Sequence, residues 1–453
     1  MFTKIYRAGH AWVGKQVFLI RNTLTGKILL NIGWTTAATP VTMAFGIVQI
    51  GMMARMLGPA GMGTITLLGS ICALLSGLFK ITSSETIMVY AAKAESSEAT
   101  ISLPRAIRFC LGADALSSLV AYGSIIASAV LTPKLLKLPN DIIRLQIIYG
   151  LTIIFQSTYW TSHGLLRSMN KFSWTFYQAC FYSVIKTAIV AILYFRGAGL
   201  TDVVWMLVVV SLMDSGSLLI LSLFAVRGEW DRSKKESHKW WQIPRELWRF
   251  VISSHLKQII KSMNRYVDNL IIGFMGNPTQ VGYYRTGKQV CEQSITPIQG
   301  FIVSLFPEYS RLYFSGDRKK LRRIVFRFSA LFLVLSVVVG AILWLNADLI
   351  VRIIFGEKFL PASGVLRVLT LWVLITFVMI PIYFLPAAVG QANPALIATM
   401  AALAVQVICI FFLAPRYGAL GAAWASVAYV LTWAIVLTPS IVRILKIPLP
   451  EKQ

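Results

Sequence analysis

Apolar stretches of roughly 20 residues recur along nearly the whole chain, separated by short polar breaks rich in glycine and proline. A helix needs about 20 apolar residues to cross a hydrocarbon core of about 30 Å, so this pattern predicts an all-α, polytopic membrane protein. Twelve spans fit, near 33–55, 63–85, 106–131, 142–166, 174–195, 202–226, 250–275, 282–306, 326–346, 364–388, 394–413 and 419–442. No connection between them is long enough to fold as a separate soluble unit.

The breaks repeat. ARMLGPAGMG after the first span has a counterpart in GFMGNPTQVG after the seventh, with Gly58 on Gly276 and Gly63 on Gly282. LLRSMNKF before the fifth span lies against PAAVGQANP before the eleventh, and Gly199 falls on Gly418 before the sixth and twelfth. The chain therefore reads as two homologous six-span halves. Six is even, so both halves enter the membrane in the same sense, and the pseudo-two-fold axis is normal to the bilayer. The predicted organisation is an amphipathic N-terminal segment 1–32, an N-lobe 33–226, a linker 227–245, a C-lobe 246–443 and a tail 444–453. In the first segment, Phe2, Ile5, Trp12, Phe18 and Leu19 interleave with Lys4, Arg7, Lys15 and Arg21, as in a helix lying on a membrane surface.

Two helices break the apolar rule. On the seventh, Lys257, Lys261, Asn264, Arg265 and Asp268 fall within an arc of about 100°, opposite Leu256, Ile260, Met263, Val267 and Ile271. The eighth repeats this with Arg285, Lys288, Gln289, Glu292 and Thr296 along one side. The corresponding first-half stretch, PVTMAFGIVQIGM, carries only Thr42 and Gln49. These faces are expected to line a cationic path between the halves. Arg265, Arg285, Lys288, Lys257 and Lys261 are the candidate anion ligands, since Arg offers a planar fork to phosphate oxygens and Lys a mobile point charge. Two alternatives stand beside that reading: Lys257 and Lys261 lie at the inner interface, and Asp268 forms a local ion pair with Arg265 three residues away.

The remaining charges in the spans are Lys80, Glu85, Asp114, Lys186 and Asp214. A charge facing lipid costs about 2.5–3.5 kcal/mol, so each must find water, protein or another charge. Lys186 and Asp214 are expected to neutralise each other between the fifth and sixth spans. Lys80 and Glu85 are expected to snorkel to the inner surface. Asp114 is either a structural hydrogen-bond acceptor or an ion or proton site; with Asp268 and Glu292 it completes the coupling or ion-pair candidates.

Composition changes the picture in one respect. With 57% hydrophobic and 13% charged residues the chain is too apolar for a soluble protein, yet its net charge is +25. Of 43 Lys and Arg, 27 lie in alternate connections and the two tails, and nine in the intervening connections. That is the positive-inside signature; it predicts cytoplasmic termini and anionic-lipid contact, not nucleic-acid binding. The five cysteines all sit within apolar spans, which implies neither a disulfide framework nor a metal site. No cofactor is called for, and coupling to H+, Na+ or the membrane potential stays open. No removable signal peptide is expected, for want of an apolar run and cleavage site in the first 30 residues.

Enzymatic signals are decoys. GYYRTGK, from Gly282 to Lys288, fits G-x-x-x-x-G-K, but Gln289 stands where a phosphate loop needs Ser or Thr, and no strand precedes it. His10, His163, His238 and His255 are scattered. A membrane enzyme of glycan assembly would need acidic or nucleophilic groups on a sizeable outer loop, and every outward connection is short.

The chain resembles the polysaccharide transporter, or Wzx-type lipid-linked oligosaccharide flippase, family of the multidrug/oligosaccharidyl-lipid/polysaccharide exporter superfamily. The resemblance covers nearly the whole chain. It is carried by MARMLGPAGMG, VDNLIIGFMGNPTQVGYYRTGKQV, LFPEYSRLYFSGDRKKLRR, IIFGEKFLPASGVLRVL and YGALGAAWAS, in this order and spacing. It implies a V-shaped pair of six-helix lobes that carries an undecaprenyl-pyrophosphate-linked glycan from the cytoplasmic to the periplasmic leaflet by alternating access. Implied partners are that glycan lipid, membrane lipids and the polysaccharide polymerase or export machinery, with the protein itself a monomer. Asp268 matches the family's frequent acidic residue ahead of IIG; the other charges match no fixed motif. Many flippases of the superfamily have fourteen spans, and twelve here leaves the extra lipid-binding pair absent. Tyr159, Trp160, Tyr177 and Gln178 are candidates for glycan recognition. The rival within the superfamily is a cation-coupled drug or metabolite exporter, which predicts acidic residues dominating both lobes.

Overall fold

The computed structural model describes residues 24–81, 83–94, 102–136, 138–232, 245–391 and 393–446. The surface helix expected within 1–32 therefore lies mainly outside the described residues, as do most of the linker 227–245 and of the tail 444–453. So do the side chains of Lys257 and Lys261.

All regular structure among these residues is helical, and it crosses back and forth twelve times. Helix Leu24–Phe79 carries the first two spans with a break at Gly58, and Ser84–Ala94 prolongs the second. The third is Leu103–Ala129; the fourth is Ile142–Phe155 followed by Tyr159–Ser168; the fifth and sixth are Phe172–Phe195 and Leu200–Arg232. In the second half, Arg245–Met275 is the seventh, and Pro278–Ile295 with Gln299–Phe314 forms the eighth. Arg318–Leu345, Ala362–Tyr383, Asn393–Tyr417 and Ala419–Lys446 complete it. A short helix follows the third span in one half (Thr132–Leu136) and the ninth in the other (Ala347–Phe355).

Among the described residues, eight stretches are long and apolar enough to cross a membrane, and one of them, Ala37–Phe79, holds two spans. The fourth, seventh and eighth spans fail the same test. The fourth is split into two short helices, and the other two carry the charges. A helix that turns one side to a polar interior does not need a fully apolar circumference.

The repeat has a physical signature at its turns. Asn170 before the fifth span and Gly390 before the eleventh both adopt left-handed backbone, and so do Gly197 and Gly418 before the sixth and twelfth. Gly199 and Gly418 each stand immediately before their helix, at Leu200 and Ala419, as the spacing predicts, and the left-handed residue lies two positions earlier in the first half. The seventh-to-eighth turn is set locally. Asn277 caps the helix by accepting a hydrogen bond from Gln280 N at 3.1 Å, and Pro278 follows at the first helical position, where its missing N–H is not needed. Gln280 then accepts from Ala419 N at 2.8 Å, joining the starts of the eighth and twelfth spans.

The lobes meet chiefly through the first and second spans on one side and the seventh and eighth on the other. At the face of the membrane holding Gly58 and Gly276, here the turn face, the meeting is reciprocal. A Cβ on Gly63 would lie 1.7 Å from the Pro278 carbonyl oxygen, and one on Gly282 would lie 2.2 Å from that of Pro59. Only glycine lets the two backbones approach so closely. Beside this seal, Arg55 donates to the Ile353 carbonyl of the short helix Ala347–Phe355. The opposite side, reached by the end of the sixth and the start of the seventh spans, is the linker face.

Two spans expected to be continuous are interrupted opposite each other. The second breaks between Phe79 and Ser84, and the fourth between Phe155 and Tyr159. Their freed backbone groups are satisfied internally, since lipid offers no partner. Lys80 Nζ donates to the Gln156 carbonyl at 2.8 Å, and Ser117 Oγ accepts from Ile81 N at 3.1 Å. Lys80 is only 7% exposed, so the expected snorkelling does not occur; the broken fourth helix supplies the acceptor instead. Glu85, by contrast, is exposed.

Candidate functional site

Between the lobes lies a cavity of 410 Å³. The second, fourth, fifth and sixth spans form its N-lobe wall, and the seventh and eighth close it from the other side. Three cationic side chains line it: Lys186 on the fifth span, Arg265 on the seventh and Arg285 on the eighth. No carboxylate does, among the described residues. Ser70, Tyr149, Gln156, Tyr182 and Asn269 supply neutral polar groups around them.

Direct partners for these cations are few among the described residues. Arg265 forms no hydrogen bond or ion pair among the described residues; its guanidinium carbon lies 6.0 Å from the centroid of the Tyr266 ring. Lys186 likewise has no hydrogen bond or ion pair there. Arg285 Nη1 is 3.1 Å from Glu292 Oε2, in a half-buried pair within the eighth span. Asn269 donates to Ser70 Oγ at 3.0 Å across the lobe boundary, while its own Oδ1 is buried without a partner. Gln156 donates to Ser211 Oγ at 3.0 Å, which fixes the fourth span against the sixth.

Several pairings expected from the helical faces resolve differently in space. Lys288 does not join Arg285 on the lumen face. It is drawn to Asp268, to which its ammonium donates, and it lies 3.2 Å from Tyr284 Oη. Tyr284 Oη donates to Asp268 Oδ2 at 2.7 Å and lies 2.8 Å from Ser426 Oγ. This closed knot ties the seventh, eighth and twelfth spans inside the C-lobe, and Asp268 is 3% exposed. The alternative local pair between Asp268 and Arg265 does not form, because Lys288 offers a neighbour that Arg265 does not displace. Lys186 and Asp214, expected to neutralise each other, feel one another's charge without making a direct ion pair: Gln178 donates to Asp214 Oδ1 at 2.8 Å, and Lys186 lines the cavity.

Asp114 sits at the junction of the two broken helices. It accepts hydrogen bonds from Ser83 N (3.2 Å), Ser83 Oγ (2.8 Å) and Thr161 Oγ1, and is 1% exposed. That geometry makes it a bracket across the second, third and fourth spans. Lys257 and Lys261 lie on the seventh helix, with side chains outside the described residues. The G-x-x-x-x-G-K match lies within helix Pro278–Ile295, so it forms no phosphate loop.

Tyr149, Gln156 and Tyr182 have no place among the site residues expected from the sequence, although they form the N-lobe side of the cavity. Their signal in the sequence is faint: a lone polar atom in an otherwise apolar span. Gln156 is the exception, since a Gln at mid-span is costly unless it faces a polar interior.

Solved structures share this architecture. An inward-facing multidrug resistance MATE family transporter of the MOP superfamily aligns with a TM-score of 0.70 at 15% identity, over 89% of this chain and 94% of its own. An outward-facing MATE family transporter of that superfamily aligns at 0.57 and 16% identity, over 95% and 98%. A MOP superfamily transporter from Pyrococcus furiosus, described by the reverse polarity of its binding pocket, aligns at 0.55 and 15% identity, over 94% and 96%. At these identities the likeness is one of fold: twelve transmembrane helices in two lobes. No curated protein matches by sequence. The profile of one family does, over residues 52–364, which is more than half of the chain. The chain is accordingly a multi-pass membrane protein with the MOP-superfamily fold, and it belongs to the polysaccharide biosynthesis protein family.

Proposed function

We propose that this protein is a flippase for an undecaprenyl-pyrophosphate-linked oligosaccharide, a repeat unit of O-antigen, capsule or exopolysaccharide. It moves the lipid from the cytoplasmic to the periplasmic leaflet by alternating access. The observation that carries the reading is the cavity between the lobes, with Lys186, Arg265 and Arg285 on its wall and no carboxylate among its described lining. In a partly desolvated site each cation within about 4 Å of a phosphate oxygen contributes about 4 kcal/mol of Coulomb attraction at an effective dielectric of about 20, before desolvation is subtracted. A neutral sugar gains nothing comparable, and an organic cation is repelled. Family membership supports a polysaccharide-linked cargo, and the positive-inside pattern supports termini and linker face in the cytoplasm.

The two lobes then act as the moving parts. With the turn face sealed at Gly63 and Gly282, the cavity is loaded from the linker face, and rocking of one lobe against the other exchanges access. Driving force comes from H+, Na+ or the membrane potential. The rival reading, a cation-coupled drug exporter, requires carboxylates where this cavity presents ammonium and guanidinium groups.

Native mass spectrometry of the purified protein with undecaprenyl pyrophosphate and with undecaprenol tests the headgroup requirement. The pyrophosphate should bind and the alcohol should not. Arg265→Ala with Arg285→Ala should weaken binding at least about tenfold, the loss of about 1.4 kcal/mol. Equal binding of both lipids would rule the reading out.

A further inference from the structure

The fifth and sixth spans part toward the linker face and leave a groove of 650 Å³ on the outside of the N-lobe. Five aromatic rings line it, from Trp174, Tyr177, Phe181, Tyr182 and Phe224, with Ile220 between them. Phe181 is 69% exposed and Ile220 70%, so no described residue fills the space. Its floor is polar and closed: Gln178 donates to Asp214 Oδ1 at 2.8 Å and to Ser217 Oγ at 3.0 Å. Toward the linker face, Lys171 Nζ lies 5.1 Å from the centroid of the Trp174 ring, which itself stacks on Phe224.

The groove and the cavity share one side chain. Tyr182 lines both, and Lys186, one turn further along the same helix, faces the cavity. An amphiphile seated here would have hydrocarbon on one side of Tyr182 and its anionic group on the other. The ordinary lipid-facing surface of this protein differs. On the ninth span it is a convex run of aliphatic residues, including Leu333, Val334, Val337 and Val338. Because lipid tails are as apolar as the groove, burial alone cannot hold a chain there; shape and dispersion against flat rings must do so. A polyprenyl chain, with a planar trisubstituted double bond in every five-carbon unit, presents flat faces that a straight acyl chain lacks.

We propose that the groove between the fifth and sixth spans holds the phosphate-proximal isoprene units of a polyprenyl-phosphate lipid whose phosphate lies at Lys186. This rests on the flippase reading and assigns the tail site that a twelve-span chain must provide without additional helices. Tyr177 and Gln178 then serve the lipid, not the glycan.

The test is photolabelling of the full-length protein in nanodiscs of phosphatidylethanolamine and phosphatidylglycerol. The probe is a polyprenyl phosphate carrying a diazirine near the phosphate, with labelled peptides mapped by mass spectrometry. Saturable labelling should concentrate in residues 174–185 and 213–224 and be competed by undecaprenyl phosphate but not by added phosphatidylglycerol. Ile220→Trp, which fills the groove, should lower that labelling about tenfold, equivalent to about 1.4 kcal/mol, while pyrophosphate protection of the cavity against chemical modification stays unchanged. Labelling spread over the apolar surface would overturn the proposal. So would saturable labelling at Leu74 and Phe274, which line a separate groove between the second and seventh spans. Such labelling, still dependent on Arg265 and Arg285, would leave the flippase reading intact. Absence of saturable labelling at any position would overturn both.

Discussion

Arg285 and Lys288 are three residues apart on one helix, separated by about 60° around its axis, and their surroundings divide them. Arg285 borders the cavity; Lys288 is held by Asp268 and Tyr284 inside the C-lobe. A helical wheel reports the side of a helix, not the neighbour that side meets, so the sequence could not separate the two. Nor could it reveal that Gln178 donates to Asp214 while Lys186 lines the cavity. Removing one member of a buried ion pair leaves an uncompensated charge, which costs about 3–5 kcal/mol. Lys288→Met should therefore lower the thermal midpoint of the detergent-solubilised protein markedly. Lys288→Met combined with Asp268→Asn should recover most of that loss. A single variant as stable as wild type would show that the pair carries no such role.

Element order, and the register of the repeat, were readable because they rest on spacing. Apolar runs mark the spans, and Gly–Pro breaks mark the turns between them. The breaks inside the second and fourth spans were not readable, since LFKITSSE and IFQSTYW contain no proline or glycine. They persist because Lys80, Ser117 and Asp114 satisfy the freed groups from other helices, a tertiary cause without a local sign. The reciprocal seal at the turn face is the most sharply defined element contact. Gly63→Ala places a methyl carbon 1.7 Å from the Pro278 carbonyl oxygen, so the two backbones must separate. Overpacking of this kind costs about 1–3 kcal/mol or more. Gly63→Ala should lower both thermal stability and transport, whereas Gly123→Ala, with nothing within 4 Å, should change neither.

Across the whole molecule, the lobes differ in how they treat charge. Each half buries a polar knot of its own, around Asp114 in one and Asp268 in the other, while the three cavity cations come from both halves. The cationic surface belongs mainly to the second half, as the helical faces predict, and Lys186 adds a first-half contribution. With the turn face sealed, the cavity should be reached from the linker face. In a background with the native cysteines replaced by serine, Thr66→Cys on the cavity wall should react with a membrane-impermeant maleimide added on that side and be protected from the opposite side. Faster reaction from the turn face would contradict the loading direction.

The central claim is that Arg265 and Arg285 carry a pyrophosphate headgroup across the bilayer. Its most direct test is leaflet translocation in proteoliposomes, read as the fraction of a fluorescent undecaprenyl-pyrophosphate oligosaccharide that becomes accessible to an added, impermeant quencher. Wild-type protein should move the lipid. Arg265→Ala with Arg285→Ala should slow it at least about tenfold, the effect of about 1.4 kcal/mol on the barrier, with folded protein retained. Translocation at the wild-type rate by that double variant would contradict the account.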